Sequence, residues 1–273
     1  MSESSGRIGV DRSRPGYWRV TLRHPPINTI DARMYDELYD LVEEMEDTPE
    51  LKVITFESED PDYFLAHYGM GESTSRFGSP RWIETAERLA RSPVVSIAVI
   101  RGRIRGGGSE FALACDLRFA SREKAIFGQP EIGFGLIPGG GALERLPLLV
   151  GRSRAIEIAI GGEDFDADTA LGMGWINRAV ADAELTAQVE DFVQRILSFD
   201  TVALATIKGI LNKSGLPEPA ACRDTQTTFL EIWARPECEA RLQKAYALGA
   251  GRSGPFESGL GQHIVALRPD GGD

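Results

Sequence analysis

Residues 94–100, "VVSIAVI", form a run with no polar face. Its β-branched side chains pack well on a pleated surface. A strand that is apolar at successive positions must be covered on both sides. That excludes a sheet with one face in water and requires helices above and below it, so strands and helices should alternate along the chain. The neighbouring segments comply. "YWRVTL" (17–22), "LKVITFES" (51–58) and "LRFAS" (117–121) read as further strands. Asp31 is placed to cap a helix through "ARMYDELYDLVEEMED", where Met34, Leu38, Leu41, Val42 and Met45 recur at helical spacing. "PRWIETAERLARSP" reads as a helix closed by Pro93. "HPPINTI" is a turn, and residues 59–80 read as a loop whose stretch "YFLAHYGM" is unusually apolar. The first dozen residues and the tail "RPDGGD" are expected to be frayed ends.

From Ser198 onward the pattern is helical, with no convincing strand. A boundary near residue 200 divides the chain into a core, 1–199, and a helical region for assembly, 200–273. The chain has 273 residues and a net charge of −11, which argues against general nucleic-acid binding because that needs a basic footprint. No apolar run reaches the ~18 residues of a spanning helix, and the N-terminus has no apolar core of a signal peptide. A cytoplasmic protein without a membrane partner is expected. Cys115, Cys222 and Cys238 are scattered, as are His24, His67 and His263, so neither a disulfide framework nor a metal site is expected.

The chemistry gathers around "RGRIRGGGSE" (101–110), which follows the apolar strand and opens a helix. Glycines there let a ligand approach the backbone closely. The first amides of a helix have no internal partner and carry the positive end of its dipole, so they suit an anion. A phosphate loop would need Lys and Ser/Thr after the last glycine, and this chain has Ser109-Glu110; the dinucleotide fingerprint is absent too. Glu110 would repel a phosphate, whereas a carboxylate beside amide donors suits proton transfer next to a carbonyl. A second segment, "FGQPEIGFGLIPGGGALERL" (127–146), sets Glu131 after Pro130 among Phe127, Ile132 and Phe134, where an apolar setting raises a carboxyl pKa.

Together these two segments resemble the enoyl-CoA hydratase/isomerase (crotonase) family, and "HPPINTIDARMYDEL" and "YFLAHYGM" fall where that family has two further motifs. The resemblance implies an α/β fold, a crotonase-like spiral of ββα units followed by a C-terminal helical trimerisation region. It implies a lyase that reversibly hydrates a 2-enoyl-CoA thioester. Its oxyanion hole would be the amides of Tyr68 and Gly107. Glu131 would protonate Cα and Glu110 would help activate water. It implies no tightly bound cofactor, with coenzyme A entering as part of the substrate, and assembly as a homotrimer or a dimer of trimers. The CoA end would lie near Pro26, Ile27, Thr29 and Ala66. His67, Gly69, Met70, Arg103, Gly106, Pro130 and Gly139 would be further substrate-binding residues, and Lys244 is a candidate CoA contact. Alternatives on the same fold are an isomerase, a decarboxylase or a C–C hydrolase; RNA binding through "RGRIR" is disfavoured by the acidic balance.

Two features depart from the family pattern. Tyr68 stands where a small residue is usual, and its ring either narrows the acyl pocket or packs into core. His67 is expected to be structural rather than catalytic. Arg101, Arg103 and Arg105 would point to one side of an extended segment. They would either bridge to the protein's own carboxylates or, at Arg103 or Arg105, meet a CoA phosphate or an acidic acyl group.

Overall fold

β5 (Val95–Ile100), the strand expected from the apolar run, lies inside a six-stranded sheet. The computed structural model describes residues 6–69 and 81–268. The strands of this sheet run in the order β1 (Ile8–Arg14), β2 (Tyr17–Leu22), β3 (Val53–Ser58), β5, β7 (Leu117–Ser121), β10 (Arg178–Val180). Only the β1–β2 pair is antiparallel. As the run demanded, both faces of β5 are buried. Ala98 and Ile100 join the main core with Met34 and Leu38 of α1 (Ala32–Glu46). Ile97 and Val99 face a separate cluster with Val189 and Val193 of α7 (Asp182–Leu197). A second sheet, β4 (Tyr63–Leu65), β6 (Arg103–Arg105), β8 (Ile126–Gly128) and β9 (Asp164–Asp166), is parallel up to its last, antiparallel pair.

The helices between strands are α2 (Arg81–Arg91), α3 (Gly107–Ala114), α4 (Ala142–Val150), α5 (Arg152–Gly161) and α6 (Ala167–Met173). Asp31 caps α1 as expected, its Oδ1 accepting from Met34 N at 2.8 Å. After residue 200 come α8 (Thr201–Gly215), α9 (Pro219–Trp233), α10 (Pro236–Leu248), α11 (Pro255–Ser258) and α12 (Leu260–His263). Lys208 anchors α8 to the sheet, its Nζ donating to Val94 O at 2.6 Å and Asp116 Oδ2 at 2.7 Å. No helix among the described residues is long and apolar enough to cross a membrane.

Two expectations about the chain need correction. The N-terminus is not frayed from residue 8 on: β1 pairs with β2 from Ile8↔Leu22 to Arg14↔Tyr17. Its polar residues hide the strand pattern because it is the sheet edge, where charges are usual, and Arg12 and Arg14 pair with Glu44 and Glu190. The segment expected to be a loop contains β4, whose Tyr63, Phe64 and Leu65 are all buried.

Candidate active site

Two neighbouring parallel strands bring the first two expected groups together. Leu65 of β4 pairs with Ile104 of β6, and Tyr68 and Gly107 follow them at the same remove. Ile30 N donates to His67 O and Gly69 N donates to Ile30 O, both at 2.9 Å. The His67–Tyr68 peptide therefore has its carbonyl toward Ile30, and its trans N–H points the other way. Gly107 is the first residue of α3, so its N–H has no partner within the helix. Close packing accounts for the glycines. A Cβ at Gly107 would sit 2.6 Å from two ring carbons of Tyr68, and one at Gly108 only 2.2 Å from Leu65 O.

The two carboxylates occupy unlike environments. Glu110, on the first turn of α3, is 2 % exposed. Its Oε1 accepts from Gly140 N at 2.6 Å and from Ala142 N at 3.3 Å. Burial pushes its carboxyl up, the two amides pull it back, and the charge of Glu144 adds to the rise, bringing it to about 7. Glu131 opens the short 3₁₀ turn Glu131–Phe134, and its Oε2 is buried without a hydrogen-bond partner. Burial, then the charge of Glu110, hold its carboxyl well above the usual range. With amide donors on one acid and an orphaned oxygen on the other, the charged form is better supported on Glu110 than on Glu131.

Both acids line a cleft of about 710 Å³, together with His67, Gly106, Gly107, Pro130 and Gly139. Tyr68 also lines it; burial, then the charge of Glu110, keep its phenol protonated. The other walls are Trp82, Phe134, Leu136 and, from beyond residue 200, Gln226, Phe229, Trp233, Leu242 and Leu260. The region read as an assembly element thus also encloses the cleft. Phe229 and Trp233 stand one helical turn apart on α9 and their rings contact each other at 5.5 Å, a spacing visible in the sequence but silent about which surface it covers. Trp82 is likewise a residue that pattern reading passed over.

The remaining expected residues lie apart from the acids. Ile27 and Ala66 pack with Tyr63 in a small apolar cluster, beside Pro26 in a cis peptide and Thr29, whose hydroxyl lies 3.2 Å from His24 Nδ1. Met70 lies outside the described residues. Lys244 Nζ donates to Arg268 O at 2.8 Å. The three arginines do not share a side, because Gly102 at φ +75° turns the chain between the first two. Arg101 binds Asp182 and Thr186. Arg103 Nε donates to Ser258 O at 2.8 Å and Arg103 is not among the residues lining the cleft. Arg105, wholly buried, grips Asp164 through two nitrogens at 2.7 and 2.6 Å and donates to Glu257 O at 2.9 Å.

His67 joins this network. Its Nδ1 lies 2.6 Å from Tyr68 O and its Nε2 3.1 Å from Glu257 Oε1. A carbonyl can only accept, so Nδ1 carries a proton. Burial disfavours the imidazolium, but Glu257 and the Tyr68 carbonyl outweigh it and the His67 pKa lies above its ordinary value. For Glu257 burial acts upward, but His67 and the N–H of Gly251, which donates to Oε2 at 2.9 Å, outweigh it and bring the carboxyl below its ordinary value. A buried ion pair therefore ties the loop bearing the Tyr68 amide to α11.

The family model described as enoyl-CoA hydratase/isomerase matches residues 14–237. A Streptomyces avermitilis structure, provisionally named an enoyl-CoA hydratase, is 36% identical, covering 98% of this chain and 100% of its own, with a TM-score of 0.93. An enoyl-CoA hydratase from Mycobacterium avium subsp. paratuberculosis K-10 is 25% identical over 92% of this chain and 98% of its own, with a TM-score of 0.81. One from Bacillus halodurans, at 21% identity, covers 88% of this chain and 100% of its own with a TM-score of 0.80 and supports the fold alone. The fold is the crotonase α/β fold. With the family model matching residues 14–237 and a 36% identical structure covering 98% of the chain, the chain belongs to the enoyl-CoA hydratase/isomerase family.

Proposed function

We propose that this protein reversibly hydrates a 2-enoyl-CoA thioester. The observation that carries the reading is the pair of unlike acids on one cleft, Glu131 with an unpartnered buried oxygen and Glu110 held by two amides. In the hydration direction the thioester oxygen rests between the N–H groups of Tyr68 and Gly107. Glu110 accepts a proton from water as the water oxygen bonds to Cβ, and Glu131 gives its proton to Cα. The oxygen gains negative charge meanwhile, and each fixed amide donor is worth about 3 kcal/mol in comparable holes. Proton transfer by each acid contributes about 10²–10⁴-fold. An isomerase can work with one carboxylate, so the presence of two favours water addition.

The test follows loss of enoyl-thioester absorbance with crotonyl-CoA and longer enoyl-CoAs, alongside Glu110→Gln and Glu131→Gln. Turnover by the parent and its loss in both variants supports the reading. Full activity in either variant refutes the roles, and a migrating double bond without water uptake identifies isomerisation. The reading also implies a homotrimer or dimer of trimers. Val202, Ile207, Ile210 and Leu211 stand exposed on α8, which supports burial against other subunits, and light scattering of the purified protein measures the mass.

A further inference from the structure

Trp82 sits on the first turn of α2, 3 % exposed, with its ring fixed between aromatic neighbours. Ring centroids lie 5.2 Å from Tyr68, 5.6 Å from Tyr35 and 6.4 Å from Phe111. Its apolar body is well packed, yet its Nε1–H is buried with no hydrogen-bond partner. An orphaned buried donor loses its hydration without replacement, and such a group in a folded protein calls for an explanation. Its position offers one. A Cβ at Gly140 would fall 2.5 Å from Trp82 Nε1 and 2.3 Å from Glu110 Oε2. The indole nitrogen and Glu110 Oε2 thus both pack closely against Gly140, near enough to each other for one oxygen in the cleft to bond to both. All three residues line the cleft.

We infer that Trp82 is a further substrate-contacting residue, whose indole N–H donates to the oxygen on Cβ of the acyl group. This rests on the hydratase reading. An indole is a donor only, so it recognises a lone pair and nothing else. The oxygen involved is that of the incoming water, or of the β-hydroxyl in the reverse direction. Glu110 Oε2 accepts one proton of that water, Trp82 donates to one of its lone pairs, and the second lone pair is left to bond Cβ. The other water proton stays on the product hydroxyl. In dehydration the same N–H stabilises the oxygen as it leaves with its electron pair. The site is therefore selective for acyl groups bearing a β-oxygen over the same chains without one.

The test compares binding of butyryl-CoA with acetoacetyl-CoA, and of decanoyl-CoA with 3-oxodecanoyl-CoA. These pairs differ at Cβ by an acceptor oxygen, and none of them can undergo hydration. Calorimetric titration of the parent and of Trp82→Phe is expected to show a loss of about fivefold for the 3-oxo member, with the saturated member unchanged within about twofold. The indole N–H signal of Trp82 in ¹⁵N-labelled protein, identified by its absence from Trp82→Phe, is expected to move with the 3-oxo ligand and stay in place with the saturated one. This second readout uses the unaltered fold. Equal weakening of both ligands, weakening of neither, or an unmoved indole signal overturns the inference and leaves the hydratase reading standing. If none of the four thioesters binds the parent, both readings fall.

Discussion

Replacing His67 with leucine removes both hydrogen bonds of a buried imidazolium and leaves Glu257 without its counter-charge. The side chains of His67 and Glu257 are 7% and 0% exposed, so solvent cannot take over. Removing one partner of a buried pair costs about 3–5 kcal/mol. For a chain of this size each kcal/mol lowers the midpoint by about 2 °C, giving a fall of about 6–10 °C. Adding Glu257→Gln to His67→Leu should recover more than half of it, because the stranded charge disappears while Gly251 N–H keeps an acceptor. The pH response supplies an independent sign. The His67 pKa is raised on folding, so its contribution is complete below the unfolded value and is lost as pH rises through the folded one. The Glu257 pKa is lowered, so its contribution is present above the unfolded value and is lost as pH falls through the folded one. The pair is thus at full strength between about pH 4.5 and 6.5. The parent should lose stability from pH 6.5 to 8.5 in a way that His67→Leu does not. Scanning calorimetry of the parent, the single and the double variant across that range measures all three effects. A fall below about 2 °C, or no recovery in the double variant, refutes the pair as described.

Three further outcomes follow from the site and its frame. The kcat/KM of the parent should rise with pH through about 7 as Glu110 ionises, then fall at higher pH as Glu131 loses its proton; a flat profile between pH 6 and 8 in steady-state assays contradicts this ordering. Gly107→Ala places a methyl 2.6 Å from the Tyr68 ring and should lower kcat by about 10²-fold or more with little change in far-UV circular dichroism, through a displaced amide donor. Asp31→Ala removes the cap of α1 and should cost about 1 kcal/mol, read as a midpoint shift of about 2 °C or more, since Asp31 also pairs with Arg7.

Local patterns in the sequence reach as far as local physics does. The run 94–100 names a central strand because no other setting buries it, and Asp31 before an amphipathic repeat names a helix start. Glu110 and Glu131 are legible as candidates because each stands among glycines and apolar residues, an unusual setting for a carboxylate. β1 is obscured because an edge strand carries charges on the face that would otherwise alternate. The enclosing role of Phe229, Trp233 and Leu260 depends on how the last helices return over the cleft, and their spacing describes only their own helix. The His67–Glu257 pair is harder still, since its members are far apart in sequence and each reads alone as an ordinary loop residue. Trp82 looks like one more core aromatic until the partnerless nitrogen is seen.

The in-step departure of the chain from β4 and β6 also bears on how such a catalyst can diversify. Shifting one amide donor against the other would mean slipping the ladder that joins Leu65 to Ile104, and with it every inward side chain of that sheet. On the proposed reading, new chemistry on this framework is therefore more readily acquired by exchanging the groups that would face the thioester than by reshaping the grip on its carbonyl. Descendants of one ancestor would keep the same electrophile and differ in what they do to the carbons beside it.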